Sequence, residues 1–219
     1  MISYEPSFPP YYFTKNDPRP GIHGEVFSAV SRITKDKFVF EYVPTARALV
    51  WFEENKLDIE PGINPAWRQS SKVPGIYTIP YAKSVEVVLF RPGKQVRVKR
   101  SSDLKGKTVG LIRGYIYPTF TKAFANREII RKDSVTEIHL LRKLEVGRID
   151  QVFINKVTAQ YWMKKTPAYK NLEIGDEISS LDVMLRLHPN KKGVLDRLNK
   201  ALKHLVESGE IDRIYARYR

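Results

Sequence analysis

Short apolar runs alternate with amphipathic segments along most of this chain. The runs with strand-like composition are FVFEYV (38–43), VEVVLF (85–90), KTVGLI (107–112), QVFI (151–154) and DVMLRL (182–187). Helical spacing follows Pro44, and it recurs from about 117 to 126, over 134–147 and near the end of the chain. Apolar strands that alternate with amphipathic helices predict an α/β protein, whose mostly parallel sheets are covered by helices on both faces.

The segment 134–147 gives the most detailed local prediction. Its apolar side chains recur at helical spacing, and Gly147 suits a helix C-terminus. Ser134 and Glu137 have the spacing of a capping box, which predicts a helix that begins at Ser134. Near the end of the chain, one apolar face of a long final helix is formed by Val194, Leu198, Ala201 and Leu205.

The charge of the chain favours anionic partners. The sequence has 38 Lys and Arg against 24 Asp and Glu, a net charge of +14. Seven of the cations lie in 91–107, where Val96 and Val98 alternate with basic residues, as in a strand or hairpin with one solvated face. Because no aromatic residue that could stack on a base lies in this stretch, we do not expect nucleic-acid binding.

Several kinds of chemistry find no support in the sequence. Without cysteine there is no disulfide and no thiolate metal site, and the four histidines lack metal-ligand spacing. Neither a phosphate-binding loop nor a nucleophile elbow is present, so we predict no cofactor, no metal and no catalytic residue. The sequence also shows no signal peptide and no apolar run long enough to span a bilayer.

A resemblance to a known family runs through nearly the whole chain. The segments YEPSFPPYYF, GIHGEVFSAVSRI and VPTARALVWFEENKLDI, followed later by SDLKGKTVGLIRG, LEVGRIDQVFIN and LNKALKHLVESGEIDRIYARY, stand in the family's order. They resemble the family 3 extracellular solute-binding proteins, which are the polar-amino-acid receptors of ABC importers. Each motif alone is weak, and the ordered series indicates the fold more strongly than the function.

The resemblance implies a two-lobed α/β fold of the periplasmic-binding-protein type. Two crossover strands would join the lobes, and the ligand would be held as the lobes close around it. Lobe 1 would comprise 1–86 plus 184–219, and lobe 2 would comprise 87–183. The implied protein is a periplasmic monomer, its signal peptide removed, that carries an amino acid or an organic anion to a membrane ABC permease.

The resemblance also implies how a ligand carboxylate would be bound. Gly114, next to Arg113, would let the main chain approach the ligand, and the amides of Tyr115 and Ile116 would donate to the carboxylate. An arginine at the position of Arg68 would form a bidentate pair with the same group, contributing about 1.5–3 kcal/mol. Lys72 is the competing candidate for this anchor.

Further ligand contacts would come from the first lobe. Phe8 occupies the position of an aromatic residue that stacks on the ligand, and Glu5 that of an acidic residue that reads its side chain. The remaining candidates for the pocket lining are Tyr11, Tyr12, Asn64, Trp67 and Tyr81. The alternative for the aromatic residues near the N-terminus is packing against the adjacent prolines.

One departure from the family pattern concerns the ammonium group of an amino acid. The family holds this group with an aspartate shortly after its Gly-Arg-x-Asp motif, where this chain has Asn155 followed by Lys156. An amide accepts a hydrogen bond but brings no negative charge. Either Glu60, an acid within DIEPGI, replaces the missing carboxylate, or the ligand lacks an ammonium group.

Two other functions remain open at this point. A catalytic relative on the same fold, similar to a cyclohexadienyl dehydratase, would need an acid poised for proton transfer, for which Glu60 or Glu5 is the candidate. The other alternative is the ligand-sensing domain of a receptor.

Overall fold

The computed structural model describes residues 1–4 and 8–219, and the chain divides into two compact units. Unit 1 comprises Met1–Lys83 and Leu181–Arg219, and unit 2 comprises Ser84–Ser180. These boundaries lie three residues before those expected for the lobes, after 83 rather than 86 and after 180 rather than 183. Two long strands, β5 (Ala82–Phe90) and β9 (Glu173–Leu187), each continue from one unit into the other.

Unit 1 has strands and helices in α/β order. They are β1 (Ile2–Tyr4), α1 (Gly21–Thr34), β2 (Phe40–Tyr42), α2 (Thr45–Glu53), β3 (Ile59–Ile63), β4 (Ile76–Tyr77), α6 (Leu195–Glu207) and α7 (Glu210–Ala216). Strand β1 pairs in parallel with β2 and β3, while β9 pairs antiparallel with β3 and β4. Short 3-10 helices span Pro65–Arg68 and Pro189–Val194.

The apolar periodicity of the sequence accounts for this packing. Helix α1 buries Ile22, Val26 and Val30, whose spacing of four places them on one face, and it packs against α6 and α7. A separate apolar cluster in unit 1 contains Phe52 of α2 and Leu57, which follows that helix. The parallel strands therefore present their carboxyl ends at a common edge, and the loops after β1 and β3 emerge there.

Unit 2 has the same construction. Besides β5 and β9 it contains β6 (Thr108–Ile112), α3 (Pro118–Ala125), β7 (Ile130–Ser134), α4 (Glu137–Glu145), β8 (Gln151–Asn155) and α5 (Lys156–Lys165), with 3-10 helices at Ser101–Leu104 and Pro167–Tyr169. Strand β6 lies between β7 and β8 and is parallel to both, while β5 runs antiparallel to β8. One apolar cluster lies on each face of the sheet, with Val87 and Leu89 in one and Val88 and Phe90 in the other.

The α/β class and the strand-like runs are confirmed, and two local predictions are wrong. Ser134 is the last residue of β7, and α4 begins at Glu137 with Thr136 before it, so the predicted capping box does not form. The segment 91–107 contains no strand; it is a loop with one 3-10 helix. The helix predicted from the apolar face of Val194 to Leu205 is confirmed as α6, and Gly209, with a φ of 71°, separates it from α7.

None of the helices in residues 1–4 and 8–219 has the length and apolar character needed to cross a bilayer.

Candidate functional site

The sequence-predicted site residues fall into two groups, one in each unit. Most of these residues lie at or just after the carboxyl ends of the parallel strands of their unit, which is where α/β sheets bind ligands; Glu60, the second residue of β3, and Tyr81, which precedes β5, do not. Unit 1 holds Phe8, Tyr11, Tyr12, Glu60, Asn64, Trp67, Arg68 and Tyr81, and unit 2 holds Arg113, Gly114, Tyr115, Ile116 and Asn155. Glu5 lies outside the described residues.

The aromatic residues after β1 form a compact turn. The Phe8 amide donates to the Tyr12 carbonyl at 3.0 Å, and the Tyr11 amide donates to the Phe8 carbonyl at 2.9 Å. The Phe8 ring stacks on Tyr11, with ring centres 5.1 Å apart and planes inclined by 13°. Tyr11 and Tyr12 are both buried and lie against His23, so their rings serve packing, while the half-buried Phe8 retains an exposed face.

His23 is an uncharged part of this packing. Burial lowers its pKa to about 3, so the imidazole is neutral at physiological pH. Gly62, which has a φ of 69°, lies beside it: a β-carbon added there would be 3.0 Å from His23 Nε2 and 3.7 Å from the Tyr81 hydroxyl oxygen. The buried Tyr81 and the end of β3 therefore meet at this point.

The loop after β3 is fixed by Asn64. Its side-chain oxygen accepts from the Ala66 amide at 2.9 Å, and its Nδ2 donates to the Asp182 carbonyl at 2.7 Å. This arrangement caps the short helix that carries Trp67 and Arg68. Asn64 therefore positions its neighbours, and Trp67 leaves 44% of its surface exposed.

Glu60 is buried and is shared by two arginines. Arg186, opposite Glu60 in the β3–β9 pairing, forms an ion pair with it, and Arg68 donates to Glu60 Oε1 from Nη2 at 2.9 Å and from Nε at 3.2 Å. Arg186 is 1% exposed, donates to the Val73 carbonyl at 2.7 Å and lies 3.8 Å from the centre of the Phe52 ring. The trio has a net charge of one positive unit.

Lys72, the competing anchor, lies in a different environment. Its side chain is 85% exposed, and its ammonium group is 3.7 Å from Glu53 at the end of α2. Arg68, by contrast, has a side chain 15% exposed, and its guanidinium is oriented by Glu60 and by the Trp67 carbonyl at 3.2 Å.

In unit 2, the turn after β6 is held by its own main chain. The Arg113 amide donates to the Ser134 carbonyl at 2.9 Å, and the Tyr115 amide donates to the Ile112 carbonyl at 3.1 Å. The Tyr115 N–H, which the sequence assigned to a ligand carboxylate, therefore has an acceptor within the turn. Ile116 is 77% exposed, and its amide donates to no acceptor among the described residues.

Gly114 gives this turn its open face. Its φ is 87°, a conformation that favours glycine, and a β-carbon placed there would meet no atom within 4 Å. Tyr115 is 41% exposed, and its carbonyl accepts from Arg131 Nη2 at 3.2 Å. The turn thus combines a fixed backbone with an open approach to the amide of Ile116.

Asn155 is the N-cap of α5. Its Oδ1 accepts from the Val157 amide at 3.0 Å and from the Thr158 amide at 3.4 Å. Its Nδ2 donates towards Ser84 at 3.2 Å and Glu86 at 3.4 Å. Lys156, the next residue, pairs with Glu177 at 2.9 Å, so the charge of its ammonium group is balanced locally.

Glu86 is the residue that the sequence interpretation missed. It stands opposite Asn155 in the β5–β8 pairing, and its Oε2 accepts from the Tyr117 hydroxyl at 3.0 Å. Burial raises the pKa of Glu86 to about 7, although the hydrogen bonds from Tyr117 and Asn155 act in the opposite direction. A single acid within the otherwise apolar run VEVVLF is the signal that could have found it.

Comparisons with known proteins give one consistent result. A probable histidine-binding protein of Neisseria gonorrhoeae is 29% identical over 148 residues, which cover 65% of this chain and 53% of the relative. The chain thus matches about half the length of the curated relatives it resembles. An ancestral arginine-binding protein bound to arginine has a similar structure, with a TM-score of 0.79 and 21% identity over 99% of this chain and 96% of the other.

A second solved structure extends this likeness of fold. The ligand-binding core of GluR0 in complex with L-glutamate has a TM-score of 0.80 and 19% identity, over 99% of this chain and 96% of the other. At these identities the structures show the fold alone. The family model of the bacterial extracellular solute-binding proteins, family 3, matches residues 1–219, and the chain belongs to that family.

Proposed function

We propose that this chain binds a small carboxylate-bearing solute, an amino acid or an organic anion, and delivers it to a membrane ABC permease from the periplasm. The family is one of solute-binding proteins and not of enzymes, and the curated relatives are named for binding histidine, cystine and arginine. The observation that carries the proposal is the turn after β6, where Gly114 leaves open space beside the exposed amide of Ile116.

The charge of unit 1 supports a carboxylate as the ligand group. Arg68 uses three of its five N–H donors on Glu60 and the Trp67 carbonyl, which leaves two for a ligand. Because Arg186 and Arg68 share a single carboxylate, one positive charge remains for an anion. We assign Arg68 rather than Lys72 as the anchor, since a guanidinium held at a fixed angle binds a carboxylate with less loss of side-chain entropy.

Phe8 is assigned the role of the stacking aromatic in this proposal. It retains an exposed face, while its other face lies on Tyr11. Trp67 is a second candidate for ligand contact, since it is exposed beside Arg68. Tyr11, Tyr12, Asn64 and Tyr81 support these residues, and Arg113 flanks the turn of unit 2.

The test is a calorimetric screen of the twenty common L-amino acids, succinate, malate and glutarate, followed by two variants. With the compound that binds, we expect Arg68→Met to weaken affinity by more than tenfold, because it loses charge-assisted hydrogen bonds. The matched control Lys72→Met should change affinity by less than twofold. If no compound binds, the proposed function is wrong; if Lys72→Met alone loses binding, only the assignment of the anchor is wrong.

A further inference from the structure

The carboxyl group of Glu86 accepts hydrogen bonds but has no cationic partner among the described residues. Among the described residues it forms no ion pair, although lysine and arginine outnumber the acidic residues of the chain by 14. Its neighbours are the Tyr117 hydroxyl at 3.0 Å and Asn155 Nδ2 at 3.4 Å, both uncharged. A partly buried carboxylate without a counter-charge is costly, and a cationic ligand group would offset that cost.

We propose that Glu86 binds the ammonium group of the ligand, and that the ligand class is therefore α-amino acids and not dicarboxylates. The inference rests on the proposed function, and it assigns to β5 the role that the family resemblance had placed at Asn155. It also differs from the sequence hypothesis for Glu60, whose carboxylate is already shared by two guanidinium groups.

Glu86 and Asn155, which face each other in the β5–β8 pairing, have different roles in this proposal. Asn155 Oδ1 is occupied by two main-chain amides of α5, so this oxygen caps the helix. Its Nδ2, together with Tyr117, donates to the carboxyl of Glu86 and orients it. Asn155 is thus a positioning residue, and Glu86 supplies the charge.

Glu86 lies near the turn that would bind the carboxylate of an α-amino acid. The Tyr117 hydroxyl that contacts Glu86 belongs to the residue that follows Ile116 in the turn after β6. The ammonium and carboxylate of an amino acid are bonded to one carbon atom, so their binding groups must lie close together. Glu86 and the Ile116 amide are both at the edge where β6 and β8 end.

The groups around Glu86 determine how ligand affinity should depend on pH. Tyr117, from the start of α3, is the titratable group in contact with Glu86, and burial raises the pKa of Tyr117 well above its usual value, so it stays neutral. Tyr115 and Arg131 act on the phenol of Tyr117, while Lys156 of α5 and Glu177 of β9 neutralise each other. Asn155 of β8 and Ser84 of β5 carry no charge.

An ammonium group favours the ionised form of Glu86, so binding an amino acid releases a proton near neutral pH. The apo pKa of about 7 means that affinity for an amino acid should rise about tenfold from pH 6 to pH 8. A dicarboxylate would show the opposite trend, since it would favour protonated Glu86.

The experiment compares the best-binding amino acid with its analogue that lacks the ammonium group, as L-glutamate is compared with glutarate, by calorimetry at pH 6 and pH 8. Glu86→Gln keeps the shape of the side chain and removes its charge; Glu128→Gln, on an exposed acid of the same unit, is the control. We expect Glu86→Gln to weaken amino-acid binding by at least tenfold at pH 8 and to abolish the pH dependence. Glu128→Gln should keep both.

Two results would overturn the inference while leaving the proposed function intact. One is an amino acid that binds Glu86→Gln as tightly as the unmodified protein, and the other is an analogue without the ammonium group that binds as tightly as the amino acid. If neither amino acids nor dicarboxylates bind the unmodified protein, the proposed function is wrong and the inference falls with it.

Discussion

The buried charges of unit 1 give a stability prediction that needs no ligand. Glu60→Gln removes the carboxylate shared by Arg186 and Arg68 and leaves two guanidinium groups without a counter-charge. Arg186 cannot recover by hydration, since it is 1% exposed and packs on Phe52. Breaking a buried ion pair in this way costs about 3–5 kcal/mol. For a chain of this length the melting temperature should fall by about 10 °C.

The measurement is thermal unfolding followed by circular dichroism, with Glu54→Gln as the control. Glu54 pairs with Lys56 at 2.8 Å, but both side chains are largely exposed, so its loss should cost less than about 1 kcal/mol. The double variant Glu60→Leu/Arg186→Met replaces the buried pair by apolar groups and should recover most of the stability. A drop for Glu60→Gln no larger than that of Glu54→Gln would refute this reasoning.

Three further predictions concern unit 2. Burial raises the pKa of Glu86 from its ordinary value of 4.5 to about 7, so the fold loses stability as pH rises from 4.5 through 7. Glu86→Gln should therefore gain about 3 kcal/mol over the unmodified protein between pH 4.5 and 8.5 in urea titrations. Asn155→Ala should lose about 1 kcal/mol from the missing helix cap, as melting curves would show. Gly114→Ala should cost about 1–2 kcal/mol despite its open surroundings, because its φ is 87°; an unchanged melting temperature would contradict this.

The sequence predicted the α/β class well because the class depends on apolar periodicity. The buried runs around β5, β6 and β8 are continuous enough to specify strands without tertiary information. Strand β7 was missed because its residues, IRKDS, are mostly polar, and only its pairing with β6 makes it a strand. The capping box failed for the same reason, since Ser134 is used by β7.

The charged groups of the candidate site were predicted less well. Glu60, Glu86 and Arg186 each interrupt an apolar strand, so the sequence marks all three as exceptional. Their roles depend on strand register, which sets Glu60 opposite Arg186 and Glu86 opposite Asn155. Local patterns carry no information on register between strands distant in the chain, and the pairing of the first acid and the isolation of the second could not be predicted.

The order in which the two units can form follows from their segments. Unit 2 is one uninterrupted stretch, whereas unit 1 needs β9, which pairs with β3, as well as α6 and α7, which pack on α1. During synthesis at about 5–20 residues per second, the roughly hundred residues of unit 2 delay these partners by about 5–20 s. Unit 2 can therefore fold before unit 1 has all the strands of its sheet. For those seconds the edge of β3 is open to chaperones and to other nascent chains.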